Sequence, residues 1–337
     1  MLYEVSMLRR GYLLFVIIPV LACASAVAVS AQTVAARRVR VAVLDLGETE
    51  TGRRVADRLA SALASEPATA PAATAARTVE KSEPRIEVLD RELVRVAARG
   101  VGYAGSLNLT LEEARNLGAA IGCDFFIAGE ARTLRRSPAD TPAYQEAYAS
   151  LFLVSARTGR LILWRHPRAI SSTNEAAEAG LFIVLAQETR ARYAPAILEA
   201  QAREETERRA QLEQAGEVVA FEDLSKEAGE GANVESNLRP PQPYRRLQPI
   251  YTREAALSEV EATVDVLADI DAEGEVSRVE VVRWAGFNLD ESVVDTVRRL
   301  HFRPAMRERV PISVRVLLRY NFRRPPKSGE QAQPTQP

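Results

Sequence analysis

The chain has 337 residues, 47 % of them hydrophobic and 26 % charged, with a formal net charge of -1. That length holds two domains of ordinary size, the composition is that of globular protein, and the balanced charge offers no basic field for nucleic acid. Two cysteines (Cys23, Cys123) and two distant histidines (His166, His301) provide neither a disulfide framework nor a Cys/His metal spacing.

From Met7 the chain reads MLRRGYLLFVIIPVLACASAVAVSAQ. Arg9 and Arg10 precede an apolar run over residues 12–29, which ends in the small residues Val29, Ser30 and Ala31. These are the parts of an export signal occupying residues 1–31. Three outcomes fit it. Cleavage can follow Ala31. Cys23 can be lipidated, because Val20-Leu21-Ala22-Cys23 resembles a lipobox. The segment can also stay as an anchor, since about 18 apolar residues just span a bilayer. Each outcome places the remainder in the cell envelope, whether periplasmic, membrane-anchored or lipidated.

A first domain is expected over residues 38–195. VRVAVLDL is rich in Val41, Val43 and Leu44 and reads as a strand, followed by a helix with Val55, Leu59 and Leu63 on one face. Residues 67–76, PATAPAATAA, have no large apolar side chain and read as a surface loop. RIEVLD is a second strand, RELVRVAA a short helix, and LTLEEARNLGAAIG a helix opened by Thr110 and Glu113 at capping-box spacing. DFFIAGEARTL is a third strand, and AYASLFLVSARTGRLILWR a hairpin turning at residues 156–159, where Gly159 takes a positive φ. A helix with Ala177, Leu181, Val184 and Leu185 on its apolar side closes the unit. No phosphate-binding glycine loop or G-x-S-x-G elbow accompanies these strands. Asp45 is placed for a turn and helix-capping role before Thr51, and His166, ahead of Pro167, reads as a partly exposed turn residue. With its order β-α-β-α-α-β-β-β-α, and on VAVLDL, VLDRELV, AAIGCDFFIAGE and LVSARTGRLI, this region resembles the TolB N-terminal or CsgG-like envelope domains.

Residues 196–246 read as a linker: a solvated helix extending from Pro195 to Leu212, with AREETERRAQLEQ in it and Glu205 and Arg209 at supporting spacing, then an aperiodic joint, then RPPQP in polyproline geometry. In the following segment Asp269, Asp271, Glu273, Gly274 and Glu280 fall close to the spacing of a calcium loop. Such a loop needs a flanking helix on each side. Here Ala262, Val264, Val266, Ala268 and Ile270 alternate before it, and Val279 and Val281 after it, so a hairpin with a solvated acidic edge is expected instead. NLDESVVDTVRRLHF then sets Leu289, Val293, Val297 and Leu300 on one helical face. Asn288 and Glu291 stand at capping spacing, and Pro304 bars the helix from continuing. The last strand carries Val310, Ile312, Val314, Val316, Leu318, Tyr320 and Phe322 on one face, against Ser313, Arg315, Leu317, Arg319 and Asn321 on the other.

IDAEGEVSRVEVV, LDESVVDTV, FRPA and VPISVRVLLRYNF together resemble the TonB C-terminal domain over residues 247–323. Gln248, Pro249 and Tyr251 of QPIYT resemble its Gln-Pro-x-Tyr-Pro element, with Thr252 in place of the final proline. The resemblance implies an α+β chain: an N-terminal α/β domain with a mixed sheet, a linker, and a small β-β-α-β TonB-like domain, followed by a disordered tail over residues 324–337. It implies no enzyme, cofactor or metal. It implies a protein that takes an extended peptide of an outer-membrane transporter beside its last strand, through Ser313, Arg315, Leu317 and Arg319, with Gln248, Pro249 and Tyr251 assisting. Arg315 and Arg319 would limit self-pairing and favour acidic partners. Energy transduction would add an inner-membrane motor complex as a further partner. The alternative is a structural envelope component, self-associating through its first domain, whose TonB-like part is a passive tether. If Tyr251 only packs on the domain as a lid, QPIYT loses that role.

Overall fold

The computed structural model of the chain describes residues 38–65, 86–137, 142–213, 222–223 and 238–324. The export signal, Cys23, the loop over 67–76, most of the aperiodic joint and nearly all of the tail lie outside these residues. A mixed α and β architecture is what the described chain has.

The first region runs β1 (Val39–Val43), α1 (Glu50–Ala64), β2 (Ile86–Val88), α2 (Arg91–Gly100), α3 (Leu111–Ile121), β3 (Phe125–Arg136), β4 (Tyr144–Ser155), β5 (Leu161–Arg165), β6 (Arg168–Ser171) and α4 (Asn174–Glu188). This is the order expected from periodicity with one short strand, β6, added. Its sheet has the order β2-β1-β3-β4-β5, parallel among β2, β1 and β3 and antiparallel from β3 onward. Alternation along the strands divides the core. Val41, Val43, Phe125, Ile127, Leu151 and Leu153 face α1 and α4. Ala42, Phe126, Ala128, Phe152 and Val154 face α2 and α3.

The capping box of α3 is formed as the spacing predicts: Thr110 accepts from Glu113 N, and the Glu113 carboxylate accepts from Thr110 N. Gly159 takes φ +75° at the β4–β5 turn. Asp45 does not cap α1. Thr49 does, accepting from Gly52 N, while Asp45 pairs with Arg91 and Arg95 of α2. The chain leaves α4 through a π-helical turn, Thr189–Tyr193, straight into α5 (Ala194–Glu213). The start of α5 is not solvated: Ala194, Ile197 and Ala200 are buried, and Glu204 accepts from Arg157 of the β4–β5 turn.

Beyond α5 lie β7 (Glu222–Asp223), β8 (Leu238–Arg239), β9 (Gln242–Pro243) and α6 (Arg253–Leu257). They lead into β10 (Ala262–Ile270), β11 (Val276–Arg283), α7 (Leu289–Arg298), β12 (Phe302–Arg303), β13 (Ala305–Arg307), β14 (Val310–Ile312) and β15 (Val314–Phe322). The main sheet here has the order β11-β10-β15-β7. RPPQP is extended but bonded: β8 pairs with β13, and β9 with β12. The hairpin replaces the calcium loop. Asp271 Oδ1 accepts from Glu273 N and Glu275 N, and Gly274 turns at φ +88°.

Candidate functional site

The last strand is broken where periodicity predicts continuity. Glu308 and Arg309 turn with positive φ, β14 folds back on β13, and a separate β15 begins at Val314. Even-numbered side chains from Ile312 onward face the core as expected, whereas Val310 is exposed. The inner side of β15 is fully used, paired antiparallel with β10 from Ala262↔Phe322 to Ile270↔Val314.

The direction of the other backbone groups follows from β10. Thr263 N donates to Asn108 Oδ1 and Thr263 O accepts from Asn108 Nδ2, which also bonds Trp284 O at the end of β11. Asp269 O accepts from Ser277 Oγ, and Asp271 N donates to Glu275 O. Odd-numbered residues of β10 therefore turn their amides and carbonyls toward β11. Opposed residues in an antiparallel pair share that sense, so their odd-numbered partners on β15 turn theirs away from β10. Leu317, Arg319 and Asn321 present them along the outer edge, where among the described residues only β7 pairs, at Val314 and Arg315.

The side chains of that parity are not simple surface charges. Arg315 Nε and Nη2 reach Asp269 at 2.6 and 2.8 Å, and Arg319 reaches Asp265 at 2.8 and 3.1 Å. Asp269 and Asp265 are 4 % and 3 % exposed, so the expected solvated acidic edge holds for Glu273, is half-buried at Asp271 and fails for Asp269. Close approach of side chains at non-hydrogen-bonded positions of the ladder lets each arginine cover a carboxylate. Asp265 has a second cation, Arg283, at 3.3 Å.

QPIYT runs beside α7. Gln248 is exposed and Pro249 half-buried, and Ile250 bonds Ser292 Oγ through both its N–H and C=O. Tyr251 Oη donates toward Ala255 O and Val260 O, and its ring lies 6.2 Å from Phe322. Thr252 caps α6 and donates to Phe287 O. The structure thus brings Tyr251 to the end of β15, while Gln248 and Pro249 sit on the strap before it.

A second feature gave no periodic signal: the loop after β11, with Trp284, Gly286 and Phe287. Trp284 is 1 % exposed, stacks on Phe152 of β4 at 5.5 Å, and donates from Nε1 to Gly159 O. Phe287 lies 4.7 Å from Trp164 of β5. Three consecutive residues, Gly286, Phe287 and Asn288, have positive φ. Asn288 therefore cannot cap α7 with its side chain. Asp290 instead accepts from Ala285 N and Gly286 N, both at 2.8 Å, and burial raises its pKa to about 7 against the opposing pull of those two bonds. A cleft of about 700 Å³ opens beside this loop between β5, β11 and α7. His166 is half-buried at the turn between β5 and β6, as expected. It packs among Tyr148, Trp164 and Phe287 with Nδ1 2.7 Å from Ser150 Oγ, and burial lowers its pKa. Burial pushes the Cys123 thiol up to about 12, and among the described residues no His, Cys, Asp and Glu cluster could hold a metal.

Residues 247–323 match the family model described as Gram-negative bacterial TonB protein C-terminal, and the resemblance noted from the sequence is shown for that segment. Among solved structures the chain is similar to the C-terminal domain of Pseudomonas aeruginosa TonB, at 19 % identity over 26 % of this chain and 95 % of that one, with a TM-score of 0.22. It is also similar to the hypothetical protein CT253 from Chlamydia trachomatis, at 12 % identity over 48 % and 98 % of the two chains and a TM-score of 0.31. A PelC dodecamer from Paraburkholderia phytofirmans matches at 12 % identity over 46 % and 91 %, with a TM-score of 0.27. No curated protein matches. The chain carries a C-terminal domain of TonB type. Among the described residues no helix is long and apolar enough to cross a membrane.

Proposed function

We propose that this is a non-enzymatic envelope protein whose TonB-type domain takes an extended segment of an outer-membrane transporter as an added strand along β15. The supporting observation is the outer edge itself. Leu317, Arg319 and Asn321 turn their backbone groups outward, and beyond Arg315 no described strand pairs there. A strand edge binds an extended chain through its backbone, with side chains adding selectivity. Arg315, Leu317 and Arg319 lie along this edge and Ser313 stands just before β15, while Gln248, Pro249 and Tyr251 lie on the strap that ends beside Phe322. The edge reading is tested by Leu317→Pro, which removes one outward amide donor at a position where proline is tolerated. The full chain should stay folded and lose binding of a synthetic transporter N-terminal peptide in titration calorimetry. Full-strength binding by the folded variant overturns it.

A second reading has its own support. Trp284 and Phe287 lock the TonB-type domain into the core of the first region, as a passive tether in a structural envelope component would require. A transducer must extend across the periplasm, and residues bonded as β8 and β9 are unavailable as spacer. Lipidation at Cys23, self-association and a motor partner belong to the same open choice. Recovery in the inner-membrane fraction after high-salt washing supports transduction, and recovery in the soluble fraction supports the tether.

A further inference from the structure

If β15 binds by strand addition as proposed above, β7 stands in the way. β7 lies in the long connection between α5 and β8, and it pairs parallel with the start of β15, Glu222 opposite Val314 and Asp223 opposite Arg315. It occupies the side of β15 to which Arg315, Leu317, Arg319 and Asn321 direct their backbone groups. Any strand laid along the whole of that edge must use the place where β7 sits.

We infer that β7 is a built-in competitor for the partner-binding edge: the chain adds its own strand to β15, and an incoming extended peptide must displace it. Two structural facts make it a competitor rather than a fixed part of the sheet. Among the described residues its pairing covers two, whereas β10 opposes nine on the inner side. The net gain from each ladder bond is small once water is counted, so a two-residue strand is held weakly. The connection is also anchored on both sides. α5 packs on the first region upstream, and β8 and β9 are bonded to β13 and β12 downstream. Tethering of this kind keeps a weak strand at an effective concentration on the order of millimolar. The result is a threshold: segments that pair only at Val314 and Arg315 lose to β7, and segments that continue past Leu317 to Asn321 displace it. The edge is thereby shielded against stray strand pairing without being closed to a longer partner.

The test uses the full chain in three forms, wild type, E222P/D223P and L317P. One synthetic peptide from the N-terminal segment of an outer-membrane transporter is titrated into each, and hydrogen exchange is followed at the Arg315 amide. Prolines at Glu222 and Asp223 remove both backbone donors of β7 and so weaken its pairing. The double variant should melt at the wild-type temperature, exchange the Arg315 amide faster, and bind the peptide about three- to tenfold more tightly, the gain expected on removing a weak tethered competitor. Unchanged exchange at Arg315 overturns the pairing. Faster exchange with unchanged peptide affinity, while L317P loses binding, overturns the competition and leaves strand addition standing. Full binding to folded L317P, or binding to none of the three forms, overturns the strand-addition reading and the inference with it.

Discussion

Arg315 and Arg319 occupy equivalent positions on β15, and their environments set different costs for losing them. Asp269 pairs with Arg315, whereas Asp265 keeps Arg283 when Arg319 is removed. A buried carboxylate stripped of its cation is costly, but the Arg315 side chain is 32 % exposed and water will partly replace it. Arg315→Ala should therefore cost about 2–3 kcal/mol in urea denaturation, and Arg319→Ala under about 1 kcal/mol. Equal losses would mean that Asp265 and Asp269 are alike in solvation. Asp290 gives a pH signature. Burial lifts its folded pKa to about 7, above the ordinary carboxylate value of 3.8, so the native state keeps a proton that the unfolded chain releases between those values. Stability should fall as pH rises through that window and level off above it. Asp290→Asn should remove this part of the slope, read as melting temperature against pH.

At the scale of elements, the loop joining β11 to α7 carries backbone strain. Its positive φ values at Phe287 and Asn288 are maintained by Asp290 and by Thr252, which donates to Phe287 O. Gly286 is required twice over. Its φ is +72°, and a Cβ there would approach Phe152 Cε1 to 2.5 Å and Trp164 Cδ1 to 2.9 Å. Gly286→Ala should destabilise the full chain by about 2–4 kcal/mol, combining backbone strain with ring displacement. A loss below 1 kcal/mol, judged by chemical denaturation, would show that the aromatic rings can shift aside at little cost.

For the whole molecule, the consequence is a core that runs from the α2/α3 face of the first sheet into the helix-facing side of β10 and β15. Trp284 sits at the crossing, buried between Phe152 and Gly159 O. The intact chain should unfold in one calorimetric transition. Trp284→Ala should cost about 3–5 kcal/mol and separate that transition into two. Two transitions in the wild type would mean that the shared core does not couple the two regions.

Periodicity was enough for α1, α3, α4, α7 and the β10–β11 hairpin, because each buries one face and its apolar residues recur at 3.6 or 2. The capping box at Thr110 and the turn at Gly159 were also readable, since both are local. Alternation likewise marked which residues of β15 face the core and which share its other side. It could not show that Asp265 and Asp269 are buried ion-pair partners, because strand neighbours far apart in sequence determine that burial. Nor could it show that Trp284 and Phe287 join two regions: two aromatics in a short irregular loop have no period, and their partners lie more than 100 residues upstream. The extended character of RPPQP follows from proline φ, while its pairing with Phe302 and Met306 depends on where α7 returns the chain. Local patterning thus specifies elements and faces. Pairing between distant edges, and the fate of charges placed between them, follow from how those elements pack.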